Sequence, residues 1–152
     1  MDSTGVSHEL GATLCSFLSR AGHALGDTFA GVLYGEGCDR ALDVVDFMVV
    51  AEFGGRRTVY VLCAREYVNE ADVERHAQRV ENVRAVAALT TDAASRWQLQ
   101  TQAARMRSLF AGGAELLGVM AAPRMREEVV RAADVAGMEC FTSAGALDFV
   151  FR

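Results

Sequence analysis

Apolar residues recur along this chain with more than one rhythm. From residue 7 to residue 34, Leu10, Leu14, Phe17, Leu18, Leu25, Phe29 and Leu33 return at three- and four-residue steps, the stripe of an amphipathic helix. Ser7 is read as its N-cap, Gly22 and Gly26 as points where it kinks or divides, and Gly35 with Gly37 as its end. Two runs rich in valine and aromatics follow, ALDVVDFMVVAEF and RRTVYVLCAR, separated by Gly54-Gly55. That pattern predicts a β-hairpin over residues 42–65 with a two-residue turn. The helical rhythm returns over 69–111, with Asn69 as N-cap, Asp72 at N3 and Glu70 beside it at the positive end of the dipole. A second cap at Thr91 divides the stretch into two helices, and Gly112-Gly113 closes it. Residues 114–151 read as strand, helix and strand: ELLGVMAA, then PRMREEVVRAADVAG with Pro123 near its start and Gly137 just past its end, then MECF. A turn at Ser143 to Gly145 and a last strand, ALDFVF, end the chain. A helix crossing between two strands favours parallel pairing, so the whole predicts an α/β fold with a central mixed sheet and flanking helices.

Composition narrows the setting. The 152 residues suit a single domain, and with 51% apolar and 23% charged residues the chain can bury a core. All fifteen basic residues are arginine, so no side-chain amine is available for a Schiff base. The net charge of −5 counts against a dedicated nucleic-acid binder, although it leaves room for a local arginine patch. Cys15, Cys38, Cys63 and Cys140 form no CxxC or CxH pair and read as free thiols of a reducing cytoplasm rather than as a zinc site or a disulfide framework. The N-terminus is polar and acidic, with no signal-peptide pattern, and no apolar run reaches the ~18 residues of a membrane span.

The hairpin is where chemistry gathers. A two-residue turn pairs positions whose numbers sum to 109: Phe53 with Arg56, Val50 with Val59, Asp46 with Cys63. Alternation then puts Asp46, Met48 and Val50 on one face with Val59, Val61, Cys63 and Arg65. An acid, a thiol and a guanidinium cluster at the open end.

These residues resemble the hairpin of the PD-(D/E)XK nuclease superfamily, the restriction-endonuclease-like fold. That family carries an Asp on one strand and an acid-x-Lys triplet on the next, and the two acids hold Mg²⁺. The segment VYVLCAREYVNEADVERHAQRVE resembles the triplet strand and the helix after it, and ELLGVMAAPRMREEVVRAADVAGMECF resembles a strand-helix-strand that completes the fold. The resemblance implies that Asp46 matches the family Asp, while Cys63 stands where the metal-binding acid belongs and Arg65 where the Lys belongs. A thiol is a soft, mostly protonated group and a poor Mg²⁺ ligand, and Arg65 can pair with Asp46 or bind a phosphate but cannot act as a base. The expectation is a catalytically degenerate member acting in assembly or partner binding, with weak nucleic-acid affinity and no cofactor. The alternatives are a divergent Mg²⁺- or Mn²⁺-dependent endonuclease, with Asp46 as ligand and Glu9, Asp43 or Glu66 as recruited acid, and an oligomeric α/β scaffold unrelated to nucleases.

Other candidates weigh less. Arg56 and Arg57 at the hairpin tip, with Arg75 and Arg79, are the candidate nucleic-acid contacts; Arg84, Arg105 and Arg107 add basic spots, and the glutamates at 70, 74 and 81 dilute them. His8, His23 and His76 are scattered, and His76, between Arg75 and Arg79, reads as part of a solvated helix face. Gly35-Glu36-Gly37 lacks the strand context of a dinucleotide loop. Trp97 reads as a core residue or a partner anchor. The high apolar fraction favours a homodimer that buries a sheet edge or a helix face.

Overall fold

The structure is a computed structural model and describes residues 3–35, 41–88 and 97–142. A helix, α1 (Ser3–Arg20), leads into three antiparallel strands, β1 (Ala24–Tyr34), β2 (Ala41–Phe53) and β3 (Arg56–Ala64). Two helices follow, α2 (Glu70–Ala87) and α3 (Trp97–Leu109), then β4 (Glu115–Ala122), α4 (Glu127–Val135) and β5 (Glu139–Thr142). The strands form one sheet in the order β1-β2-β3-β4-β5, with β4 parallel to β3 and β5 parallel to β4. The mixed sheet with flanking helices is the architecture that the chain's rhythms predict.

Two hydrophobic layers hold it. On one face Leu10, Leu14 and Leu18 of α1 pack on Val49, Ala51, Tyr60, Leu62, Val119 and Phe141. On the other, α2, α3 and α4 cover Met48, Val50, Val59, Val61, Cys63 and Met120 with Val73, Val80, Val83, Met106, Leu109 and Val129.

The hairpin forms in the predicted register, from Phe53–Arg56 to Phe47–Leu62. Gly54 and Gly55 both have positive φ, 60° and 81°, the conformation a two-residue turn of the right twist needs. Asn69 caps α2 with a reciprocal box: its Oδ1 accepts the Asp72 N–H at 2.9 Å, and the Asp72 Oδ2 accepts the Asn69 N–H at 2.8 Å.

Three expectations are corrected. The stretch 7–34 is not one helix: α1 stops at Arg20, Gly22 turns the chain at φ 94°, and residues from Ala24 onward form β1. Leu25, Phe29 and Leu33 are spaced by four, and four is also a multiple of the strand period, so the stripe fits either element. Ser7 lies inside α1 rather than at its cap. The fourth helix begins at Glu127, not near Pro123, and its N-cap Arg126 makes no side-chain capping bond. The cap at Thr91, Gly37, Cys38, the turn at 143–145 and the last strand lie outside the described residues, as does the side chain of Trp97.

One irregularity shapes the site. Between the pairs Phe29–Met48 and Gly31–Val45, β1 advances two residues while β2 advances three, so β2 carries a bulge at Asp46-Phe47. The extra residue flips the alternation. Asp43 and Val45 therefore fall on the face of Met48 and Val50, beneath α2, and both are buried.

Candidate functional site

The open end of the hairpin gathers the three motif positions. The antiparallel ladder runs to Phe47–Leu62, one pair short of Asp46 and Cys63. Past it, the Asp46 carboxylate turns to the end of β3, where Oδ2 accepts the Ala64 N–H at 3.0 Å and a hydrogen bond from Nη1 of Arg65. The same Arg65 nitrogen donates to its neighbour's carbonyl, Ala64, at 2.8 Å. Cys63 is buried, and burial pushes its thiol up against the opposing pull of the Arg65 and Arg79 charges. The residues at the three positions do not fit a divalent metal. Magnesium calls for several hard oxygen ligands; here the one carboxylate already serves a guanidinium and a backbone amide, and the thiol is soft and protonated. Among the described residues no group of three or more His, Cys, Asp and Glu side chains could hold a metal ion.

A second polar cluster lies under α2, centred on Asp43. Its carboxylate accepts both terminal nitrogens of Arg75, at 3.0 and 2.8 Å, Nε of Arg79 at 3.3 Å, Nδ2 of Asn82 at 2.9 Å and the Val44 N–H at 2.8 Å. Arg75, Arg79 and Asn82 sit four and three residues apart on α2, so they line one stripe facing β2. Burial by itself would raise the Asp43 pKa, but the bonds from Arg75, Asn82 and Val44 and the Arg79 charge hold it down at about 2.

His76 extends this cluster into the core. It is fully buried, with Nε2 2.8 Å from the Val61 carbonyl and Nδ1 2.9 Å from Nη1 of Arg79. A carbonyl only accepts and a guanidinium only donates, so the ring is neutral and carries its proton on Nε2. Burial drives its pKa down to about 4, the hydrogen bond to Val61 opposing and the Arg79 charge assisting.

These contacts correct two readings, those of His76 and Arg79. His76 is not on a solvated face. Arg79 is buried and bonded to Asp43 and His76, so it is not a surface contact for nucleic acid. Arg75 is half exposed, and its fork is occupied by Asp43. Of the other acids considered, Glu9 is exposed on α1, across the sheet from Asp43, and Glu66 is half-buried just after Arg65. At the hairpin tip, Arg56 pairs with Glu115 at 2.9 Å in solvent. Arg57 reaches Glu52 at 3.6 Å and the Ser108 carbonyl at 3.4 Å, while its Nε is buried without a partner among the described residues.

A shallow groove escaped the sequence reading. It is lined by Tyr67, Val68, Asn69, Arg124, Met125 and Arg126, where the parallel strands β3 and β4 end. Tyr67 is 78% exposed, and Arg124 and Arg126 are also exposed. The lone signal for it was an exposed aromatic in one strand-to-helix connection and two arginines in the next. No protein-family model matches this chain, nor does any curated protein or solved structure.

Proposed function

We propose that this chain is a non-catalytic domain of the PD-(D/E)XK type that works by binding, in an assembly with itself or with a partner. The order of elements supports the fold assignment: a helix, a three-stranded antiparallel meander, and a helical crossover into a strand parallel to the third. The observation that carries the functional reading is the state of Asp46, whose carboxylate is taken up by Arg65 and by the Ala64 amide. Asp43, the acid nearest in sequence on the same strand, is likewise committed to Arg75, Arg79 and Asn82. Metal-assisted hydrolysis needs a carboxylate pair free to hold the ion, and both are neutralised from within.

A binding role draws on two surfaces. Val32 and Val44 are cross-strand neighbours, and with Leu42 they expose an apolar strip at the outer end of β1 and β2, 39–52% accessible, suited to a second subunit. The groove of Tyr67, Arg124 and Arg126 offers an aromatic and two cations, a composition that suits weak contact with nucleic acid.

The test is a cleavage assay on plasmid and single-stranded DNA with Mg²⁺ or Mn²⁺. It compares the wild type with Asp46→Ala and with the double variant Cys63→Glu/Arg65→Lys. The proposal expects no metal-dependent cleavage by the wild type. Cutting that vanishes in Asp46→Ala would establish the nuclease reading instead.

A further inference from the structure

Among the described residues β1 is an edge strand of the sheet, and α3 lies along it. Gln102, buried on α3, places its side-chain amide against the Tyr34 peptide: Oε1 accepts the Tyr34 N–H at 2.7 Å, and Nε2 donates to the Tyr34 carbonyl at 2.8 Å. An amide side chain offers one acceptor and one donor, as a neighbouring strand's peptide does. Three residues on, Arg105 donates to the Thr28 carbonyl at 2.9 Å and lies 5.4 Å over the Phe29 ring. Three further on, the Ser108 hydroxyl donates to the Asp27 carboxylate. One stripe of α3 thus satisfies both ends of the edge, while Met106 and Leu109 anchor the helix in the core.

The sequence of β1 gives this contact its meaning. Exposed edges are ordinarily protected by lysine, proline, inward charges or bulges. ALGDTFAGVLY contains no lysine or proline and one charged residue, Asp27, which Ser108 engages. One bulge near Gly26 is its own defence. Val32 and Leu25 remain exposed on it, at 39% and 41%.

We infer that α3 is a guard over a latent strand-pairing surface, and that the partner it excludes is β1 of a second copy, joined edge to edge. Such a strand is present in every copy, and antiparallel pairing about a two-fold axis joins like to like. The inference rests on the α3–β1 contacts alone and is independent of whether the protein cleaves DNA.

The experiment replaces the three polar contacts while keeping side-chain bulk: Gln102→Met/Arg105→Met/Ser108→Ala. Sedimentation velocity and hydrogen exchange are followed across protein concentration. In the wild type, the Tyr34 amide is protected to the same degree at all concentrations. In the variant, the inference expects that protection to fall at low concentration and to return as dimers form. A lysine on the edge, Ala30→Lys, added to the variant, returns it to the wild-type oligomeric state. Should the triple variant not fold, Gln102→Met alone carries the same test at Tyr34. A folded variant that keeps the wild-type oligomeric state with Tyr34 unprotected overturns the inference, as does added association that leaves β1 exchanging freely.

Discussion

Arg79 donates from Nη1 to Nδ1 of His76 at 2.9 Å, joining two buried side chains one helical step apart on α2. A cation packed against an imidazole makes protonation of that ring unfavourable, and burial adds to the penalty.

Stability should therefore depend on pH through His76. Its folded pKa, about 4, is below the ordinary 6.5, so the unfolded chain binds more protons between those values. The contribution of His76 is complete above about pH 6.5 and is lost as pH falls toward 4, with a full span on the order of 3 kcal/mol. Urea unfolding at pH 8, 6.5, 5.5 and 4.5 measures the slope. His76→Gln, which cannot titrate, should flatten it. His23, lowered by burial as well, remains in both proteins, so the difference between the two curves isolates His76.

Asp43 should behave as the keystone of the cluster under α2. Asp43→Ala leaves Arg79 buried with its carboxylate gone, a change that costs about 3–5 kcal/mol. Arg75→Ala removes a half-exposed partner and should cost no more than about 1 kcal/mol. Chemical denaturation gives both values, and equal losses for the two variants would contradict this account. The Asp43 pKa of about 2 adds a second acid limb: its stabilisation is lost as pH falls from about 3.8 through 2.

The thiols should rank by burial. Cys63 is almost fully enclosed and its pKa is raised, so iodoacetamide at pH 8 should leave it unmodified in the folded protein. Cys140 is partly exposed, but burial, with the Glu139 and Asp134 charges, pushes it up to about 11, so it should react slowly. Peptide mapping by mass spectrometry before and after unfolding in urea checks the order. Rapid native labelling of Cys63 would mean that the open end of the hairpin admits solvent freely.

What could be read in advance followed the range of the interactions. The hairpin register was legible because a Gly-Gly turn fixes the pairing locally, and the α2 cap because its box spans four residues. β1 is not legible in the sequence because Leu25, Phe29 and Leu33 satisfy both periods, and what decides between them is the turn at Gly22 and the pairing with β2. Strict alternation carries no sign of the bulge at Asp46-Phe47, so the sequence pattern alone does not turn Asp43 toward α2. The partners of Gln102 and Arg105 lie 68 and 77 residues away, and no local pattern names such contacts.

Gly118 sets the distance between α2 and the sheet. It is buried on β4, and a Cβ built there would lie 2.8 Å from Sδ of Met138 and 2.9 Å from Cγ2 of Val80. The Met138 side chain is flexible and can yield, whereas Val80 is β-branched and fixed on α2, so α2 itself must shift. That shift would loosen the stripe of Arg75, Arg79 and Asn82 over Asp43 along with the valine layer. Gly118→Ala should accordingly cost about 1–3 kcal/mol in unfolding free energy. The companion Gly118→Ala/Val80→Ala makes room for the new methyl, so its loss should be smaller than the sum of the two single losses. A double-mutant cycle by urea denaturation measures the coupling, and additive losses would mean that Val80 does not oppose the added methyl.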